Sequence, residues 1–468
     1  MSKLLKSSLV YSAGNLLPQL GSFIFLPLYL QFMSIEEFGI VSSMLVIQSI
    51  VSIFFSLALD RSLMRLFFDY RSTSEQASFF GTNFYGITII SSLSLVILFV
   101  TRNSLIKIFP EINFYPYYFY ALLIAYLKSF FLVPKVYMQI KNKSLAYTAL
   151  SATEFLFTTL AIIFFVVYRR EGASGMLKGQ FIGISIIVPY LLLFAKNHFN
   201  YSLKLNVLKK SLRFSLPIIP TLLTAFILNL SDRIFIDRYI GMNEVGLYSL
   251  AYKIASVILI AISAINMAVT PFYYRKINDL GFVDSAKWSR EFNNGYVKIV
   301  GGLIIILLIF SKEVIFLFFG STYEESAQIA GLLLISYYFS GTNSVNGRLI
   351  FYKKKTHHSM AIDIITALLN VLLNFLLIPR YGISGAALAT LASMAFAFII
   401  SYIYVNLYLK VSSVSPRVYL INVSILLVVI LLNKIKFDNF MLSVKMFLVF
   451  TILFFNYKRV KKFVDNWQ

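Results

Sequence analysis

SLRFSLPIIPTLLTAFILNLSDRIFIDRYIGMNEVGLYSL, from Ser211 to Leu250, decides how this chain is read. It opens with two prolines, runs on as an apolar span, and carries Asp232, Arg233, Asp237 and Arg238 in its second half. Charges inside an apolar span are costly and turn toward a bundle interior or a wet cavity. The stretch sits near the middle of the chain, and its closing motif repeats one found close to the N-terminus.

Outward from it, apolar runs of span length recur through all 468 residues. Hydrophobic residues make up 59% and charged residues 13%, about half the share a soluble domain carries. The expected fold class is therefore an all-α polytopic membrane protein. A β-barrel is disfavoured because the apolar runs are continuous rather than alternating. Fourteen spans are expected, at about 9–30, 38–59, 79–100, 117–136, 146–168, 176–196, 214–238, 245–268, 296–319, 327–351, 359–379, 384–409, 418–433 and 441–457. Span thirteen is short, so a count of twelve to fourteen stays open.

The formal net charge of +22 would suggest nucleic acid in a soluble protein. Here it reads as the basic bias of cytoplasmic loops, and no nucleic-acid partner is expected. With the N-terminus inside, the inside segments hold about 27 of the 42 Lys and Arg. Both termini are thus expected in the cytoplasm. There is no cysteine, and His198, His357 and His358 all fall in basic loops, so no thiolate or intramembrane histidine metal site is expected. No loop is longer than roughly 30 residues, which leaves no room for a soluble catalytic domain. The N-terminal segment is read as a first span rather than a cleaved signal. No Walker A motif is present, and no cofactor is expected.

Two pairs of segments recur at nearly one offset. FMSIEEFGIVSSMLVIQSIVSI is matched by YIGMNEVGLYSLAYKIASVILI, so that Glu37 and Gly39 correspond to Glu244 and Gly246, 207 positions on. YRREGASGMLKGQ is matched by IPRYGISGAALAT, which sets Gly172 and Gly175 against Gly382 and Gly385 at an offset of 210. Glycine at such places permits a tight turn and close helix approach. Six spans separate the copies, an even number, so the repeat is parallel. Two six-helix lobes around a central cavity follow, with residues 1–205 as the N-lobe, 206–410 as the C-lobe, and 411–468 as two further helices and a basic tail.

The segment from Lys354, KKTHHSMAIDIITALLNVLLNFLLIPRYGISGAALATLAS, resembles the Wzx-type polysaccharide flippases. The pattern is a basic-Thr turn, Asn370 and Asn374, then Ile-Pro, Tyr-Gly and Gly-Ala-Ala-x-Ala-Thr. AGNLLPQL, EFGI and LDRSLMRLFFDY agree in the first half. Those flippases belong to the multidrug/oligosaccharidyl-lipid/polysaccharide exporter superfamily. The resemblance implies movement of an undecaprenyl-pyrophosphate-linked oligosaccharide from the cytoplasmic to the outer leaflet of a bacterial inner membrane. O-antigen, capsule or a related polymer would be built from it, with a polysaccharide polymerase and chain-length proteins as partners beside the lipid bilayer.

Such a substrate needs a polar cavity with cations for its pyrophosphate, supplied by Lys point charges or the Arg fork. Depth along the helices ranks the basic residues. Lys128 and Lys253 lie about 12 Å or more from either end of their spans and cannot easily reach water. They lead the list of substrate-binding candidates, followed by Arg348, Arg233 and Arg61; the alternative for each is structural pairing or positive-inside anchoring. Lys178, Lys312 and Lys445 lie nearer span ends. Glu154, the deepest acid, and the pairs Asp60–Arg61 and Asp232–Arg233 are the candidates for ion pairing or coupling. Pro18, Pro27, Pro217 and Pro220 are expected to bend spans one and seven. The rivals are a multidrug/cation antiporter, which would favour deep acids, and a lipid II flippase, which charge alone does not separate. A membrane-embedded glycosyltransferase or polymerase is disfavoured for want of acidic catalytic or metal-binding groups.

Overall fold

A computed structural model describes residues 3–433, apart from 283 and 412, together with Lys445. Span fourteen and the basic tail lie outside the described residues. Among those described there is no strand. The chain divides into two compact units, Met1–Gly246 and Leu247–Gln468.

The first unit holds α1 (Lys3–Ile24), α2 (Leu26–Leu30), α3 (Ile35–Ser56), α4 (Leu59–Leu66), α5 (Thr73–Val100), α6 (Arg102–Leu105) and α7 (Phe119–Ile140). After these come α8 (Ser144–Ile162), α9 (Gly172–Ser185), α10 (Val188–His198), α11 (Leu205–Ser215), α12 (Ile219–Leu230) and α13 (Asp232–Tyr239). The first turn of α14 (Met242–Leu280) belongs with them; its remainder, α15 (Ala286–Phe319), α16 (Glu324–Tyr352), α17 (Thr356–Ile403) and α18 (Pro416–Asn433) form the second unit. Packing groups span seven with the first six, since α11 lies on α4 and α5, and α12 on α3. The packing units therefore divide about 40 residues later than the repeat, whose second copy starts with span seven.

Ten helical segments among the described residues are long and apolar enough to cross a membrane, and Pro416–Leu431 is a shorter apolar helix. Spans eleven and twelve are one continuous assignment, Thr356–Tyr408, broken at Gly382, where φ is 59° and ψ −142°. Gly172, its repeat counterpart, has φ 55°. This left-handed region suits glycine, so the repeat seen in sequence marks the same backbone device twice. Span ten, α16, is helical but polar, burying Ser336, Thr342, Asn346 and Arg348. Spans one and seven are interrupted near Pro27 and Pro217, α1 stopping before Phe25 and a 3-10 turn over Leu216–Ile218 separating α11 from α12, whereas Pro18 lies inside α1 and Pro220 in the first turn of α12.

In lipid, helices associate by close packing rather than by escape from water, so small residues set the contacts. On α9 Gly175, Gly179 and Gly183 face the preceding helix at four-residue spacing. A methyl added at Gly179 would lie 2.7 Å from the Cα of Ile162. Where this helix pair meets the turn between α2 and α3, Tyr29, Met33, Val41, Ile162, Val166 and Ala173 form a buried cluster. Glu37 ties that corner together: its carboxylate accepts from the Ser34 N–H (2.8 Å), completing a capping box, and from the Ala173 N–H (3.2 Å). One carboxylate thereby satisfies orphan donors of two helices.

Candidate functional site

Helix α3 ends at Ser56 and α4 begins at Leu59, and between them Leu57 and Ala58 both take left-handed φ, 45° and 56°. For residues with a Cβ this costs about 1–2 kcal/mol each. The break is held by fully buried Ala58, Leu59 and Leu63, and the Ser56 hydroxyl accepts from the Ala58 N–H at 3.3 Å. Its consequence is directional. The chain turns Asp60 and Arg61 into a cavity of about 210 Å³ whose other walls come from α7 and α12.

Lys128 and Ser129 on α7, Ser52 and Ser56 on α3, and Asp60 and Arg61 on α4 supply its polar lining. Lys128 sits mid-helix between buried Ala125 and Phe131, and its side chain lines this cavity. Arg61 Nε lies 3.3 Å from Asp60 Oδ2, and the Arg61 side chain stays 61% exposed, leaving donors free for another anion. Burial pushes the Asp60 carboxyl above the usual carboxylate range, and Arg61 offsets only part of that. The structure thus brings three sequence candidates, Lys128, Arg61 and Asp60, to one pocket of the first unit, whose remaining walls include apolar Ile53, Phe55, Leu132 and Leu222.

Glu154 is paired, but with Lys135 at 2.8 Å. Lys135 lies two turns beyond Lys128 on α7, at the margin of the expected span, and does not figure among the sequence candidates. The seven-residue spacing from Lys128 is the signal that marks it, since such residues share a helix face. Its ammonium also lies 5.3 Å from the Phe131 ring. Arg233 and Asp232 are both buried on α13, and Arg233 donates to the Asn229 carbonyl at 3.1 Å. These residues do not line the cavity.

Lys253 and Arg348 lie in the second unit, Lys253 half-buried on α14. Arg348 on α16 is only 5% exposed and is surrounded by aromatic rings. Its guanidinium lies 4.4 Å from the Tyr296 ring and 5.4 Å from the Tyr273 ring, and it donates to Asn266 Oδ1 at 3.3 Å. Tyr296 donates to the same amide oxygen at 2.9 Å, and Asn266 in turn donates to Ser344. Ring quadrupoles and an amide dipole so hold a charge where a carboxylate would be expected. That box cannot be read from sequence, because Tyr273, Asn266, Tyr296 and Arg348 come from three helices. Lys312 pairs with Glu324 at 3.4 Å, Lys178 with Glu171 at 3.1 Å, and Lys445 with Glu313, which accounts for the three cations near span ends. No group of three potential metal ligands occurs among the described residues.

Long apolar helices in number, with a cation-bearing pocket beside a helix break, define a class: multispanning helical membrane proteins. The fold is shared over 97% of this chain and the whole of a solved structure of the lipid II flippase MurJ in an inward closed conformation (TM-score 0.73, 14% identity). It is shared also with a MATE transporter of Vibrio cholerae, over 87% of this chain and 96% of that one (TM-score 0.59, 14% identity). The chain belongs to the polysaccharide biosynthesis protein family, whose sequence model matches residues 4–275. It is 25% identical over 287 residues to a protein of the Lsg locus of Haemophilus influenzae, covering 59% of this chain and 67% of the relative. To the capsular polysaccharide biosynthesis protein CapF of Staphylococcus aureus it is 24% identical over 412 residues, 84% of this chain and 96% of the relative.

Proposed function

We propose that this protein is a flippase that moves an undecaprenyl-pyrophosphate-linked oligosaccharide from the cytoplasmic to the outer leaflet of the bacterial inner membrane, by alternating access. The observation that carries this reading is the cavity that Lys128 and Arg61 both line, in a chain of the polysaccharide biosynthesis family. A lysine and an arginine with open donors suit the oxygens of a pyrophosphate. Both termini are placed in the cytoplasm, and a polymerase and chain-length proteins are the expected partners downstream.

The experiment is deletion of the gene followed by analysis of undecaprenyl-linked intermediates and surface polymer. The expected result is loss of a surface polysaccharide with accumulation of its lipid-linked repeat unit. Accumulation of lipid II with impaired wall synthesis would instead establish a lipid II flippase, the second reading, which the fold shared with MurJ raises. Unchanged lipid-linked pools with lowered drug resistance would replace both with an antiporter.

A further inference from the structure

The second unit holds a cavity of its own, of about 620 Å³, which neither Lys253 nor Arg348 lines. That volume lies within the roughly 300–1,000 Å³ usual for small-molecule sites. Its walls are graded by depth. On α16, Glu324, Gln328, Gly331 and Leu332 share one face, and the last lies about 12 Å below the first. On α15, Lys312 stands one turn nearer the α15–α16 connection than Leu308. Polar groups thus collect at the end near that connection, whereas Leu308, Gly331 and Leu332 line the deep end.

The surroundings face lipid. Phe316, one turn beyond Lys312, is exposed, as are Leu427 and Leu431 beside the lining residue Ile430 on α18. Exposed apolar side chains gathered on crossing helices mark the surface that meets acyl chains. An occupant of this cavity therefore comes from the bilayer, with a polar head at the rim and an apolar part below it.

The charged pair at the rim is loose. Lys312 Nζ lies 3.4 Å from Glu324 Oε1, where a charge-assisted hydrogen bond closes to about 2.7–2.9 Å. Lys135 and Glu154, by contrast, meet at 2.8 Å. Glu313, the next residue after Lys312, is engaged by Lys445. A cation and a carboxylate side by side, each with capacity left, match a head group that carries the opposite charges side by side. A phosphodiester suits Lys312 and a primary ammonium suits Glu324. A head group that is only anionic would be repelled by Glu324, and a quaternary ammonium has no N–H to donate.

We propose that this cavity binds an ethanolamine phospholipid, its phosphate on Lys312, its ammonium on Glu324, and the start of an acyl chain against Leu308 and Leu332. With the N-terminus in the cytoplasm, the lipid belongs to the outer leaflet. Bound to the folded chain alone, it stabilises the second unit by mass action.

The absence of native cysteine makes occupancy readable. Gln328 is exposed at the rim, so the thiol of a Gln328→Cys variant reports access to the cavity. The full chain is placed in nanodiscs of phosphatidylcholine, alone or mixed with phosphatidylethanolamine or phosphatidylglycerol, and treated with a thiol-selective methanethiosulfonate. Phosphatidylethanolamine is expected to slow labelling several-fold and phosphatidylglycerol to leave it unchanged. Glu324→Gln in the Q328C background is expected to remove most of that protection. Soluble glycerophosphoethanolamine is expected to give none, since it brings no chain for the apolar end. Equal protection by all three lipids, stronger protection by phosphatidylglycerol, or protection that survives Glu324→Gln would overturn the site. Protection by the soluble head group would overturn it as well. If Gln328→Cys folds poorly, the melting temperature of the unmodified chain serves: phosphatidylethanolamine should raise it, and Glu324→Gln should abolish the rise. Labelling needs no exported glycan, so the lipid site and the flippase stand or fall separately.

Discussion

Lys128 and Asp60 set opposite demands on the first unit. A lysine in a small cavity holds its charge only while water or an anion attends it, which suits binding and costs stability. Lys128→Ala is expected to abolish complementation of a deletion strain, and Lys128→Arg to retain part of it, measured as surface polysaccharide at matched protein levels. Asp60 is the less costly group to change. Its carboxyl is pushed up by burial, so the fold disfavours the ionised form. The penalty is absent below the unfolded value of about 3.9 and grows as pH rises through the folded one. Asp60→Asn should therefore raise the melting temperature in detergent near neutral pH, with the gain vanishing below about pH 4. Lys135 and Glu154 form a pair with about a quarter of each side chain exposed. Glu154→Gln should cost roughly 1–3 kcal/mol, less than the ~3–5 of a wholly buried pair, because Lys135 keeps partial access to solvent. Lys135→Met with Glu154→Gln should recover most of that in thermal melts. Export with unchanged pH dependence in Glu154→Gln would dismiss a coupling role.

At the scale of elements, chain breaks do more than the spans themselves. The left-handed pair Leu57–Ala58 aims α4 so that Asp60 and Arg61 line the same cavity as Lys128, and a β-branched residue tolerates that conformation poorly. Ala58→Val is expected to lower the melting temperature and to reduce export together. Gly172 is a second case, because its φ is positive and an added methyl would also fall on the Glu37 carboxylate. Gly172→Ala should destabilise by about 1–3 kcal/mol, and Glu37→Ala should make the second change cheaper, a non-additive double-mutant cycle. Gly172 and Gly382 stand out in the sequence because a repeat copies its turns. Leu57 and Ala58 do not, since neither residue type signals a left-handed backbone. The proline interruptions of spans one and seven lie between these extremes: residue type foretells a bend, and only packing decides whether the helix stops.

Across the whole molecule, the number of crossings and their direction follow from loops and termini. A reporter fused after Gln468 is expected to be active in the cytoplasm, and periplasmic activity alone would reverse the orientation. Hydropathy already specifies a multispanning helical chain, because lipid forces each crossing to be one apolar helix, and the two matched glycine motifs are what point to a repeat. Distance along a span is likewise legible, which is why Lys128, Lys253 and Glu154 stand out as deep. What depth does not contain is azimuth. Whether a deep charge meets a cavity, a carboxylate or an aromatic ring depends on which neighbouring helix faces it, and that is settled by glycine contacts, kinks and long-range packing. Tertiary structure alone therefore brought Arg61 and Lys128 to one cavity, gave Glu154 to Lys135, and boxed Arg348 between tyrosines.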